Sequence, residues 1–450
     1  MKRFGLVIVF CALVSLFCVV RPLWAVTYAY IPSLANESVI RVDTSAETFA
    51  SAAFSEDSCT PYGAAVMPDG SSILITCRDE DTVAELTNAN FAGSGTPLFA
   101  EVGDQPRGVA IEPNGDFAYV ANFGGDTISV INIATLAVTE TVTAGDGPWG
   151  VAAIYDPSGE RIKVYVTNNL AGTVTVIIHD GSEFDTQTIS SVGTEPIGIA
   201  ATPDGRYIYV ANSTSGLVGT VVVIRTSDDT IIDTITVGRG PWGVAVGAKG
   251  DNVYVSNSDS LSNSVTLIRT SDNAVVSTHT VGTLPQGVAA PKNGDFAYVV
   301  NQEGTDPISK IDSSISPATV TSIEQDADHP IEGAFALGVF IGGTPPAQPS
   351  DLTSSIDGND VTLSWTDRSS EELGFKIERR EVGDTTYEEI DEADANATEY
   401  TDTTVSANTS YEYRIRAFNE AADSDYATTS AEVTTEEDNF SWCFIGTLLK

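Results

Sequence analysis

The chain has 450 residues, with 22 basic side chains against 62 acidic ones and a formal net charge of −40. So acidic a chain repels phosphate backbones and anionic headgroups, which excludes nucleic acid as a partner. The acidity reads either as a solvated surface or as divalent-cation binding; with no Asp-x-Asp-x-Asp-Gly loop, calcium rests only on clustered carboxylates such as Asp79-Glu80-Asp81, and no metal site or other cofactor is assigned.

Residues 1–25 open with Lys2 and Arg3, run through apolar residues from Phe4 to Val20 and end Pro22-Leu23-Trp24-Ala25. A basic start, a short apolar core and a small residue at the cut site make a secretory signal peptide; an uncleaved anchor is the alternative, because Leu23 is large for its position. Either way the body is exported, to the periplasm, the cell surface or the extracellular space. Cleavage leaves 19 basic residues against 62 acidic, a net charge of −43. No later apolar stretch approaches the roughly 20 residues that span a bilayer, so no transmembrane segment is expected in the mature chain. Of the five cysteines, Cys11 and Cys18 leave with the leader, and Phe17 is too bulky for Cys18 to be a lipoprotein acceptor. In an oxidising compartment Cys59 and Cys77 are disulfide candidates and Cys443 is the odd one out.

From there the chain repeats. Seven times it passes through Pro, one variable residue and usually Gly, at Pro61, Pro106, Pro148, Pro196, Pro241, Pro285 and Pro330, with successive prolines 42 to 48 residues apart. After each comes a short strand such as Val109-Ala110-Ile111, then a turn such as Pro113-Asn114-Gly115 or Pro203-Asp204-Gly205, whose Gly supplies a positive φ. The next strand ends in Tyr-Val-x-Asn, as in Tyr119-Val120-Ala121-Asn122, Tyr165-Val166-Thr167-Asn168, Tyr209-Val210-Ala211-Asn212, Tyr254-Val255-Ser256-Asn257 and Tyr298-Val299-Val300-Asn301. An alternating third strand (Thr173 to Ile177) and a fourth (Thr234 to Gly238) complete the unit. Four short antiparallel strands on a period in the forties make a propeller blade.

The count closes a ring. The Pro330 unit supplies only an inner strand, Ala334 to Phe340, while Tyr28 to Ile31 and Ser38 to Val42 supply second and third strands, with Tyr30 and Ser33 in the motif's Tyr and Asn places. Six complete blades and one composite blade give seven, and pairing the two ends removes exposed sheet edges.

These motifs resemble the YVTN-type seven-bladed propellers of bacterial and archaeal envelope proteins, relatives of the lactonase-like propellers, over about residues 26–344. The resemblance implies the fold and leaves activity open, since such propellers host unrelated functions. One departure is Leu74-Ile75-Thr76-Cys77, where Cys77 stands in the Asn place; Cys59 precedes the paired inner strand, and a hairpin at Pro68-Asp69-Gly70 brings the two within a few residues of register.

After Gly343, Thr344-Pro345-Pro346-Ala347-Gln348-Pro349 reads as a stiff linker. Residues 345–436 then resemble a fibronectin type III domain through Val361-Thr362-Leu363-Ser364-Trp365, the strand Gly374 to Arg379, Tyr400-Thr401-Asp402 and Tyr411 to Ala417. The resemblance puts Trp365 between the sheets and makes Tyr411 the tyrosine-corner residue. No Arg-Gly-Asp tripeptide supports integrin-style adhesion. The tail, residues 437–450, contains Cys443-Phe444-Ile445-Gly446-Thr447 and resembles the Cys-Phe-Ile-Ala-Thr tails of some Gram-negative envelope proteins; it reads either as a frayed terminus or as an attachment through Cys443.

The expected class is therefore all-β, a seven-bladed β-propeller plus a C-terminal fibronectin type III β-sandwich. Catalytic machinery is not in view. His179 is expected in a turn, His279 in an outer strand and His329 before Pro330, in three different blades, so they do not converge on one metal. No Gly-x-Ser-x-Gly elbow, His-Glu-x-x-His or Walker-type loop occurs. The candidate binding site comes from the repeat: the variable residues Tyr62, Arg107, Trp149, Ile197, Trp242, Gln286 and Ile331 enter the innermost strands and should ring one channel mouth. Two Trp, one Tyr and one Arg suit a binding hot spot; the alternative is that these side chains fill space between blades. Arg107, the one positive charge in the set, points to an acidic or planar ligand. The expected function is an exported binding or scaffold protein that recognises an envelope or extracellular protein or glycan through this face. A lactonase-like hydrolase is the alternative.

Overall fold

The computed structural model describes residues 28–44, 47–54, 58–156, 161–179, 184–214, 217–292, 295–304, 306–324, 331, 338, 341–342, 345–357, 360–369, 372–419, 423–428 and 433–434. The leader, His329, most of the Ala334–Phe340 strand and the Cys443 tail lie outside them. The first part of the chain forms seven four-stranded antiparallel sheets, which are the seven blades. One blade runs Pro148–Tyr155, Ile162–Asn168, Thr173–His179 and Phe184–Ile189 in order from the channel outward. Its middle strands are rich in β-branched residues and buried on both faces between neighbouring blades. The turn joining the first two strands uses the expected Gly, with Gly115 at φ 78° and Gly205 at φ 67°.

The register explains the two repeat motifs. Each Pro of Pro-x-Gly stands opposite the motif Asn, as Pro106↔Asn122, Pro148↔Asn168 and Pro241↔Asn257, and opposite Cys77 at Pro61. Pairing then resumes one residue out of step, so the variable residue and the Gly form a β-bulge at the start of every complete inner strand. A bulge turns its side chain out of the ladder. The Gly is set by crowding: a Cβ on Gly150 would lie 2.3 Å from the Ile197 carbonyl oxygen, and one on Gly198 2.1 Å from that of Trp242. The motif Asn is a pin, with Asn122 Nδ2 donating to Thr127 and Ser129 while its Oδ1 accepts the Gly103 N–H. The motif Tyr reaches the next blade: Tyr165 donates to Asp229 at 2.6 Å and Tyr209 to Asn273 at 2.9 Å.

The ring closes by pairing chain ends. Tyr28–Ser33 lies between Ile341–Gly342 and Ser38–Asp43, with Ala29 opposite Ile341. Thr48–Ala53 adds a fourth strand that the sequence reading did not include. A second difference is His179, which ends a strand rather than sitting in a turn, because the ladder continues to Ile162↔His179. The ring of His179 is buried, stacked on Phe184 and 3.2 Å from the Tyr119 hydroxyl. A one-turn helix, Asn88–Phe91, also interrupts the first complete blade before its outer strand Leu98–Glu101.

The second part is a sandwich. One sheet holds Ser350–Asp357, Asp360–Thr366 and Glu399–Asp402; the other holds Glu388–Asp394, Gly374–Glu381, Ser410–Phe418 and Ala427–Thr428, with Val433–Thr434 on the far end of Ser410–Phe418. Trp365 and Phe375 meet in its core with ring centroids 5.2 Å apart. The Ser406 N–H donates to the Tyr411 hydroxyl at 3.1 Å, the hydrogen bond of a tyrosine corner. Among the described residues no helix is long and apolar enough to cross a membrane.

Candidate functional site

The channel mouth is built from loops held in left-handed backbone. The residue before five of the prolines has positive φ: Gln105 (52°), Gly147 (65°), Glu195 (49°), Gly240 (57°) and Leu284 (52°). At Gln105 and Gly147 the N–H is held by a carboxylate of the preceding blade, that of Asp81 and that of Asp126, each at 2.9 Å. The carbonyl before the Pro accepts from the residue following the motif Asn, as in Asn169 to Gly147 and Ser258 to Gly240, each at 2.8 Å. Those bonds fix the bulge and therefore the direction of the variable side chain.

The bulges bring several of the seven variable residues together. Arg107 lies with its guanidinium carbon 4.6 Å from the Tyr62 ring centroid, 4.8 Å from that of Trp149 and 5.1 Å from that of Phe123. Trp149 meets Tyr62, Phe123 and Trp242 edge to face, at 6.3, 5.2 and 5.8 Å. Tyr62, Ile197 and Gln286 are buried, whereas Arg107, Trp149 and Trp242 are half-buried. Burial pushes the Tyr62 phenol up to about 12 against the pull of the Arg107 charge, so it stays a neutral hydroxyl. Ile331 packs elsewhere, in the apolar cluster of the closing blade with Tyr30, Ile31 and Ile75.

Beside Trp149 and Trp242 lies a cavity of about 480 Å³, which Ile197 and Gln286 also line. Four of its other walls were not singled out from sequence: Asn169, Ser213, Ser258 and Gln302. They share one offset, each directly following the motif Asn, and that offset could have found them. Gln286 Nε2 donates to Ser258 Oγ and Gln302 Oε1, both at 3.2 Å, while Gln286 Oε1 and Trp149 Nε1 have no hydrogen-bond partner. Glu195 and Asp259 add carboxylates, Asp259 being paired with Arg239 at 3.3 Å. Arg107 is not among the residues lining this cavity; its guanidinium lies over the Tyr62 and Trp149 rings.

The Asp79-Glu80-Asp81 cluster is divided among separate tasks. Asp79 pairs with Arg78, Glu80 accepts from the N–H and hydroxyl of Thr60, and Asp81 holds the Gln105 N–H. Among the described residues no group of three or more His, Cys, Asp or Glu is placed to hold a metal ion. Cys59 and Cys77 are joined by a disulfide across 18 residues, at the point where the other complete blades place Asn.

A family model described as a seven-bladed β-propeller lactonase matches residues 61–231, and the fibronectin type III model matches residues 347–434. The chain is a seven-bladed β-propeller joined to a fibronectin type III domain. The propeller is similar to a seven-bladed β-propeller protein of Mycobacterium tuberculosis, 31% identical over 140 residues that make up 30% of this chain and 33% of that protein. It is also similar to antigen Lp49 of Leptospira interrogans, 28% identical over 178 residues, 36% of this chain and 37% of that one. The matched stretch thus spans about a third of the length of these relatives. A solved structure of a functionally unknown protein from Desulfotomaculum acetoxidans superposes with a TM-score of 0.55 at 15% identity, covering 71% of this chain and 99% of that one, which speaks for the fold alone.

Proposed function

We propose that the protein is exported and acts by binding, recognising a protein or glycan of the cell envelope or extracellular space through the propeller's channel mouth. The observation that carries this reading is the pair Trp149 and Trp242, half-buried and edge to face at the wall of a cavity of about 480 Å³. Each complete inner strand is braced by its neighbours, so ligand binding at the mouth has little side-chain ordering to offset. The similarity to a protein named as an antigen supports an exposed location.

The test is capture of partners from an envelope fraction with the wild-type protein and with the double change Trp149→Ala, Trp242→Ala. A partner of this site is retained by the first and weakened more than tenfold in the second, about 1.4 kcal/mol, while the melting curve is nearly unchanged. Equal retention moves the site elsewhere, with the fibronectin type III domain the next place to look. A lactonase-like hydrolase is the second reading, supported by the family match over residues 61–231; purified protein that opens sugar lactones faster than buffer would favour it.

A further inference from the structure

The cavity's lining constrains the chemistry of its ligand, and the inference rests on the mouth being the binding site. A purely anionic ligand calls for donors and a purely cationic one for acceptors. The walls here are neither. The amides of Asn169 and Gln302 and the hydroxyls of Ser213 and Ser258 carry both donor and acceptor capacity, while both hydrogens of Gln286 Nε2 are already given to Ser258 and Gln302. Behind the wall two buried atoms, the donor Trp149 Nε1 and the acceptor Gln286 Oε1, have no protein partner. Hydroxyls, which both donate and accept, complement such walls.

Charge narrows the class further. No lysine or arginine lines the cavity, while Glu195 and Asp259 do, on a chain of net charge −40. Asp259 is paired with Arg239, but Glu195 adds negative charge and no cation itself lines the cavity, so phosphorylated or carboxylated ligands are disfavoured there. Trp149 and Trp242 supply apolar ring surface on which the C–H face of a saturated ring can rest. A volume of about 480 Å³ falls within the range of small-molecule sites. We infer that the mouth takes an uncharged polyhydroxylated ring, a neutral sugar unit, free or at the end of a glycan.

The experiment is a tryptophan-fluorescence titration of the full-length mature protein with maltose, cellobiose and N,N′-diacetylchitobiose, and in parallel with glucuronate and glucose 6-phosphate. At least one neutral disaccharide should saturate with a Kd below about 10 mM, and both charged sugars should bind at least tenfold more weakly. Gln302→Ala, which leaves the indoles in place, should weaken the neutral sugar several-fold with little shift of the melting curve. Tighter binding of a charged sugar, or no saturation by any neutral one, overturns the sugar assignment. If a captured envelope protein is nonetheless lost in the Trp149→Ala, Trp242→Ala variant, the mouth stands and a protein segment is its ligand. If the sugar binds that double variant as well as wild type, the mouth itself is the wrong site.

Discussion

The hydroxyl of Thr167 donates to the backbone carbonyl of Ile197 in the next blade, 2.8 Å away, while accepting the N–H of Gly150 in its own. Thr76 makes the same relay between Gly63 and Arg107, and Ser256 between Gly243 and Gln286. One hydroxyl thus ties the Gly of one bulge to the variable residue of the next. The other blades carry Ala121, Ala211, Val300 and, in the closing blade, Pro32 at this place, so the relay runs through three of the seven junctions.

Thr167→Ala should leave a buried N–H and a buried carbonyl without their partner. Such a loss costs about 1–3 kcal/mol, and Thr167→Ser should recover most of it. Urea unfolding of the three proteins measures this; an alanine variant as stable as wild type would mean that water or a backbone shift replaces the relay.

The Cys59–Cys77 disulfide closes a short loop where the other complete blades use Asn to pin the strand end. Closure of such a loop contributes about 3 kcal/mol in the chain-entropy account. Thiol labelling of the exported, unfolded protein should therefore modify Cys443 alone before reduction and all three cysteines after it. Labelling of Cys59 or Cys77 before reduction would contradict the bond.

The repeat made the blades legible because every blade buries the same positions: Tyr119, Tyr165, Tyr209, Tyr254 and Tyr298 are all at most 1% exposed. What varies between blades was harder to read. Asn169, Ser213, Ser258 and Gln302 are marked only by their shared offset after the motif Asn, since their residue types vary between blades. Arg107 was recognised as a charge, whereas its placement over the rings of Tyr62, Trp149 and Phe123 is a contact that sequence spacing does not encode. Ile331 belongs to the one repeat with an extra residue before its Gly, and it packs inward with Ile31. Thr48–Ala53 was missed because its strand is largely solvent-facing and lacks the apolar alternation that marked the others.

Ring closure depends on Tyr28–Ser33, which pairs with Ile341–Gly342 on one side and Ser38–Asp43 on the other. Removing residues 26–43 takes away both of those N-terminal strands and leaves Ile341–Gly342 and Thr48–Ala53 facing no partner. Exposed edges of that kind invite intermolecular pairing. The truncated protein should lose its cooperative unfolding transition and aggregate on heating, and one that melts like its parent would show that the six complete blades hold the ring alone.

The fibronectin type III domain has its own core, in which Trp365 packs with Leu363, Phe375, Ile377 and Tyr413. Those residues come from both of its sheets, so the cluster needs no side chain from the propeller to be complete. Residues 345–436 should then fold when expressed alone. Replacing a buried Trp by Ala leaves a cavity and costs roughly 3–5 kcal/mol, against a typical total of about 5–15 kcal/mol for a domain. Trp365→Ala in the full chain is therefore expected to lower one calorimetric transition steeply and leave the propeller's transition where it was. The isolated domain carrying the same change should show the same loss. A single transition for the whole chain, displaced by this mutation, would mean that the two parts unfold as one cooperative unit.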